Sequence, residues 1–112
     1  MALNQETHLI SSEILKDIVH RIVEVAQPTR LIMFGSASRG EMSPESDIDI
    51  LVIVESTTHR GELSERIYRE LHGVPLPVDV VVVTEEDVLK YGGKIGTVLR
   101  PALNEGVVIY EA

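Results

Sequence analysis

The apolar residues of this chain recur at helical spacing in some stretches and as short unbroken runs in others. After Ser11-Ser12, residues Ile14, Leu15, Ile18, Val19, Ile22 and Val25 return every three or four positions, the stripe of an amphipathic helix. A serine cap starts it, and it runs to about Ala26, stopping before Pro28 because proline disfavours a helical residue ahead of it. Its polar face carries Glu13, Lys16, Asp17, Arg21 and Glu24, which assigns this helix to scaffold. Leu31 to Phe34 and residues 48–54 are short apolar runs of buried-strand type. Thr57 and Thr58 precede a second helix with Leu63, Ile67 and Leu71 on one face. It ends at His72-Gly73, and Pro75 and Pro77 exclude helix beyond. Val78 to Val83 form a third strand, broken in composition only by Asp79.

Thr84-Glu85-Glu86-Asp87 reads as a helix start, a capping hydroxyl followed by acids that suit the helix dipole. Gly92-Gly93 interrupts the pattern, helical spacing resumes over about 95–103 with Pro101 inside it, and Val107 to Tyr110 make a last strand. With a short helical turn at 36–40, the order α-β-α-β-α-β-α-β predicts an α/β domain, a small mixed sheet flanked by helices, occupying residues 1–112 as one unit.

A hydrophobic fraction of 44% with 25% charged residues is ordinary globular composition. The apolar runs are far shorter than the roughly 20 residues needed to cross a bilayer, and no membrane association is expected. Without cysteine there is no disulfide framework, in keeping with a cytoplasmic protein. The formal net charge of −8 counts against a long nucleic-acid footprint, which needs a basic face to neutralise phosphates.

The chemistry concentrates in residues 35–49, GSASRGEMSPESDID. A Gly-Ser turn leaves one apolar run, and Asp47 and Asp49 open the next. Alternate residues of a strand share a face, so both carboxylates project together. Acids so close repel unless a cation lies between them, and hard carboxylate oxygens suit Mg²⁺. Asp79 is a third candidate, facing that pair if its strand lies beside 48–54; three such carboxylates could hold two Mg²⁺ ions roughly 4 Å apart. Backbone N–H groups at the Gly35-Ser36 turn form an anion cradle, with the Ser36 hydroxyl and the Arg39 fork as further donors. Ser46 caps or orients the acids from beside them. Glu85 and Glu86 fall at a helix start and read as solvated caps, and Glu41 and Glu45 as loop residues. His8, His20, His59 and His72 lack ligand spacing.

Gly35, Ser36, Arg39, Gly40, Ser46, Asp47, Asp49 and Val52 together resemble the signature of the nucleotidyltransferase superfamily that includes DNA polymerase beta, and the chain is most similar to its minimal nucleotidyltransferases. That resemblance implies a polymerase beta-like palm core, with Asp47, Asp49 and Asp79 as the catalytic, metal-binding acids and Gly35, Ser36, Arg39 and Ser46 on the nucleotide. It implies transfer of a nucleoside monophosphate, AMP from ATP, with Mg²⁺. Minimal nucleotidyltransferases are typically encoded beside a helical HEPN-type protein, which they adenylylate as antitoxins; the implied acceptor is then a partner tyrosine. The chain is short for this activity, so self-association or a partner must complete it. Two alternatives stand beside this reading: a binding module that neutralises a partner by covering it, and a transferase acting on a small molecule such as an antibiotic.

Overall fold

A computed structural model describes residues 12–35, 48–91 and 105–112. Helix α1 spans Ser12–Ala26 and strand β1 Arg30–Phe34, followed by strand β2 at Ile48–Val54 and helix α2 at Arg60–Glu70. Strand β3 covers Val78–Thr84, helix α3 Glu85–Tyr91 and strand β4 Val107–Glu111. These seven elements meet the pattern read from the sequence to within about two residues at their ends. The expected helical turn at 36–40 and the helical segment at 95–103 lie outside the described residues.

The strands form a four-stranded sheet in the order β3-β2-β1-β4. β1 runs antiparallel to both β2 and β4, while β2 and β3 are parallel. The sheet is therefore mixed, as the pattern predicted. The parallel pair requires a crossover, and α2 supplies it.

Alternation along β2 sorts the core into two layers. Ile48, Ile50, Val52 and Val54 join Leu31, Met33, Val80 and Val82 under Ile18 and Ile22 of α1, Ile67 of α2 and Leu71 just beyond it. On the opposite face Leu51 and Ile53 pack with Ile32 and Val83, flanked by Phe34, Val81 and Val88. The i, i+4 step from Ile18 to Ile22, both fully buried, explains why α1 lies flat on the sheet.

The helices are fixed by polar contacts that periodicity does not announce. Arg21 donates from Nη1 to the carbonyl oxygens of Glu70 (2.7 Å) and His72 (3.1 Å), and from Nε to Asp17 (3.1 Å). One guanidinium thus closes the C-terminal end of α2, where carbonyls lack helical partners. Helix α1 ends on Gln27, whose φ of +48° is left-handed and whose N–H donates to the Val23 carbonyl at 3.0 Å. Among the described residues no helix is long and apolar enough to cross a membrane.

Candidate functional site

The parallel register of β2 and β3 pairs Asp49 with Asp79. Neighbouring strands lie about 4.8 Å apart and paired residues share a face, so two carboxylates leave the sheet side by side. Both occupy the second position of their strands. They point away from α1 and α2, to the face carrying Leu51, Ile53 and Val83. On the other side of Asp49 stands Phe34, its antiparallel partner in β1, half-buried against that same apolar layer. The acids therefore sit at the margin of an apolar floor, at one end of the sheet.

Their surroundings differ. Asp49, on an inner strand, is half-buried, whereas Asp79 is exposed on β3, an edge of the four-stranded sheet. A lone acid in the valine-rich run 78–83 reads from sequence as a carboxylate set in a buried strand. The structure corrects that premise: Asp79 is exposed on the edge strand, so no cost of full burial has to be offset.

Gly35 directly follows β1 with a φ of +79°, a conformation that disfavours side chains. A Cβ built there would lie 2.5 Å from Asp49 Oδ2 and 3.5 Å from its Cγ. The Asp49 carboxylate thus occupies the volume that any other residue at position 35 would fill. Glycine is favoured here by its φ, and any side chain would displace the Asp49 carboxylate.

Of the residues singled out from the sequence, Gly35, Asp49 and Asp79 come together. Ser36, Arg39, Gly40, Ser46 and Asp47 lie outside the described residues, as do Glu41 and Glu45. No group of three His, Cys, Asp or Glu side chains that could hold a metal is found among the described residues. The donor set in view is two adjacent carboxylates, oxygen only, with the Asp49 carboxylate seated where position 35 has no side chain. That chemistry fits a hard divalent cation such as Mg²⁺.

Glu85 departs from its expected role as a solvated cap. It is half-buried, takes a short hydrogen bond from the Thr29 hydroxyl and lies 3.9 Å from Arg30 Nη2. It joins the start of α3 to the start of β1, at the far end of the sheet from the acids. The capping is done by Asp87, which accepts from the Thr84 N–H at 3.0 Å while its own N–H donates to Thr84 Oγ1 at 3.1 Å, a reciprocal capping box. Arg60 Nη1 stands 2.5 Å from Asp87. Chiefly through that bond, and through the Thr84 N–H, the Asp87 carboxyl is held below its ordinary value of 3.8.

Periodicity gave no sign of Tyr68. Its hydroxyl accepts from the Val80 N–H at 2.8 Å and lies 3.4 Å from the Val80 carbonyl oxygen. A phenol on α2 therefore fastens the β3 backbone one residue after Asp79.

The family model of the nucleotidyltransferase domain matches residues 12–103. Bifunctional uridylyltransferase/uridylyl-removing enzymes of Burkholderia mallei and Burkholderia pseudomallei are 51% identical over 39 residues, 35% of this chain and 4% of theirs. The matched stretch is thus a small fraction of those relatives. A crystal structure from Sulfolobus solfataricus, itself provisionally assigned as a nucleotidyltransferase, superposes with a TM-score of 0.63 at 19% identity, covering 98% of this chain and 86% of that one. A toxin–antitoxin structure with AMP-PNP gives 0.54 at 24% identity, covering 88% and 73%. Both share the fold.

Proposed function

The chain belongs to the nucleotidyltransferase domain family, and on that basis we propose that residues 1–112 form one minimal nucleotidyltransferase domain that moves AMP from ATP onto an acceptor hydroxyl. The observation that carries this reading is the in-register pair Asp49 and Asp79 beside a glycine whose missing side chain seats the Asp49 carboxylate.

In this reading Asp47, Asp49 and Asp79 hold Mg²⁺, which when bound supplies neutralisation of the phosphate charge and lowers the pKa of a bound hydroxyl. The chain's own groups do the rest. Backbone N–H groups around Gly35 and Ser36, with the Ser36 hydroxyl and the Arg39 guanidinium, bind the terminal phosphates and hold the triphosphate in line. Ser46 orients the acids. The acceptor oxygen forms a bond to the α-phosphorus while the bond from that phosphorus to the α,β-bridging oxygen breaks, and pyrophosphate leaves. Asp79, exposed on the edge strand, receives the acceptor proton.

For the acceptor we take a protein hydroxyl, a tyrosine of a helical HEPN-type partner, with this chain as the antitoxin. Support comes from the fold shared with a toxin–antitoxin structure containing AMP-PNP. The net charge of −8 weighs against an RNA acceptor.

The test is label transfer from α-³²P-ATP with Mg²⁺, with and without a helical HEPN-type candidate partner protein. Label is expected on that protein and lost in Asp49→Asn and Asp79→Asn. Tight complex formation without label would replace the transferase by a binding module. Label on an aminoglycoside instead would move the acceptor to a small molecule.

A further inference from the structure

We propose that Gly35 is a positioning residue for Asp49: the empty volume at its Cα is the seat that fixes the Asp49 carboxylate beside Asp79. The inference rests on the reading of Asp49 as a cation ligand, but its geometric core does not.

Three observations converge. Phe34 is the register partner of Asp49, so the residue after it reaches the strand end just where the Asp49 side chain emerges. The left-handed φ of +79° turns the backbone there. A Cβ at position 35 would approach Asp49 Oδ2 to 2.5 Å, Cγ to 3.5 Å and Cβ to 3.7 Å. The first separation is shorter than any contact a real carbon makes with a carboxylate oxygen. A methyl group would thus evict the carboxylate while leaving the Asp49 Cβ in ordinary contact. The Phe34–Asp49–Asp79 register would persist, and only the direction of the carboxylate would change. Gly35 then contributes by what it lacks, in addition to any contact its N–H makes with phosphate.

A bare positive φ makes a competing account, in which alanine at position 35 merely strains the turn. The two separate in a double-mutant cycle. Strain is present whatever stands at position 49, whereas the collision needs the Asp49 carboxylate. Gly35→Ala is therefore made in the native chain and in an Asp49→Ala background, and unfolding is followed by circular dichroism. The fall in Tm from Gly35→Ala is expected to be measurably smaller when position 49 is alanine, the sign of direct coupling between contacting residues. If Gly35→Ala fails to fold alone but folds with Asp49→Ala, the proposal stands. Equal losses in both backgrounds, or failure to fold in both, would overturn it.

The second arm uses Mn²⁺ as the probe, read by the free-ion electron paramagnetic resonance signal. The native chain is expected to bind Mn²⁺, and Gly35→Ala to weaken that binding roughly 10- to 100-fold, as for a residue that orients a ligand. Unchanged Mn²⁺ affinity in Gly35→Ala would sink the positioning role. A native chain that does not take up Mn²⁺ would refute the cation reading of Asp49, while the stability cycle still decides the seat.

Discussion

At Gln27 a residue with a full side chain closes α1 at a φ of +48°, where helices commonly use glycine. The left-handed conformation costs a non-glycine residue about 1 kcal/mol. Gln27→Gly is accordingly expected to raise Tm by a few degrees in a thermal melt, and a fall would mean that the Gln27 side chain holds the turn. Asp87 provides a pH signature. Its carboxyl is held below 3.8 by Arg60 and the Thr84 N–H, so the folded state binds its proton less readily than the unfolded chain does. The stabilisation is complete above the unfolded value and is lost as pH falls through the folded one. The margin of the native chain over Asp87→Asn should thus be constant near neutrality and vanish in acid below about pH 3.8, as melts across that range would show. The Thr84–Asp87 cap could be foreseen, because a hydroxyl followed three residues later by an acid is a local signal. The Glu85 bond to Thr29 could not, since those residues meet only once α3 folds back on β1 and β2.

The elements show the same division. Helices and strands were legible because burial imposes a period on the chain, but strand order depends on which edges meet, and that has no local signature. The neighbourhood of β2 and β3 was stated only as a condition for Asp79 to face the acids, and the exposure of Asp79 on the sheet edge was not anticipated. That edge is where Tyr68 acts. An edge strand presents unpaired N–H and C=O groups that invite another strand, and the Tyr68 hydroxyl engages both groups of Val80. Tyr68→Phe keeps the ring and removes these bonds. Amide exchange at Val80 should accelerate, with a stability loss of about 1 kcal/mol; unchanged protection at Val80 would show that the phenol is incidental. Arg21 has the corresponding role for α2. Replacing it with methionine, which keeps an apolar stem but not the donors, should fray the last turn of α2 and leave α1 in place.

Over the whole molecule, the helix-packed core and the Asp49–Asp79 pair occupy different faces of one sheet. The helix-covered layer contains Ile18, Ile22, Ile48, Ile50 and Ile67, all fully buried. Ile22→Ala there should cost about 2–5 kcal/mol in denaturant melts while leaving cation affinity intact in the fraction that folds. On the other face, adjacent carboxylates repel in the absence of a cation. Asp79→Asn is therefore expected to raise Tm slightly in chelator and, under the proposed function, to abolish transfer, the trade expected where a site is kept at a cost to stability. A lowered Tm in chelator would show that Asp79 is structural. Asp49 was visible in the sequence as one acid of a spaced pair with Asp47. Its partnership with Gly35 was not, because spacing says nothing of which atoms compete for a volume.

The β1–β4 register also sets an order of events. Val78 meets Ile48 across 30 positions of chain, but Glu111 meets Arg30 across 81. Closing the longer loop costs more entropy, although only logarithmically so, and the register slips between Leu31 and Ile32, leaving that ladder irregular. Strands β2 and β3, which carry Asp49 and Asp79, can therefore zip together while β4 is still unattached. Accordingly β4 is expected to dock late in folding and, in the native state, to peel away before β2. Pulse-labelling hydrogen exchange should find the amides of 107–111 protected last and those of 48–54 first. The acid pair would then be assembled on a sheet that is still one strand short.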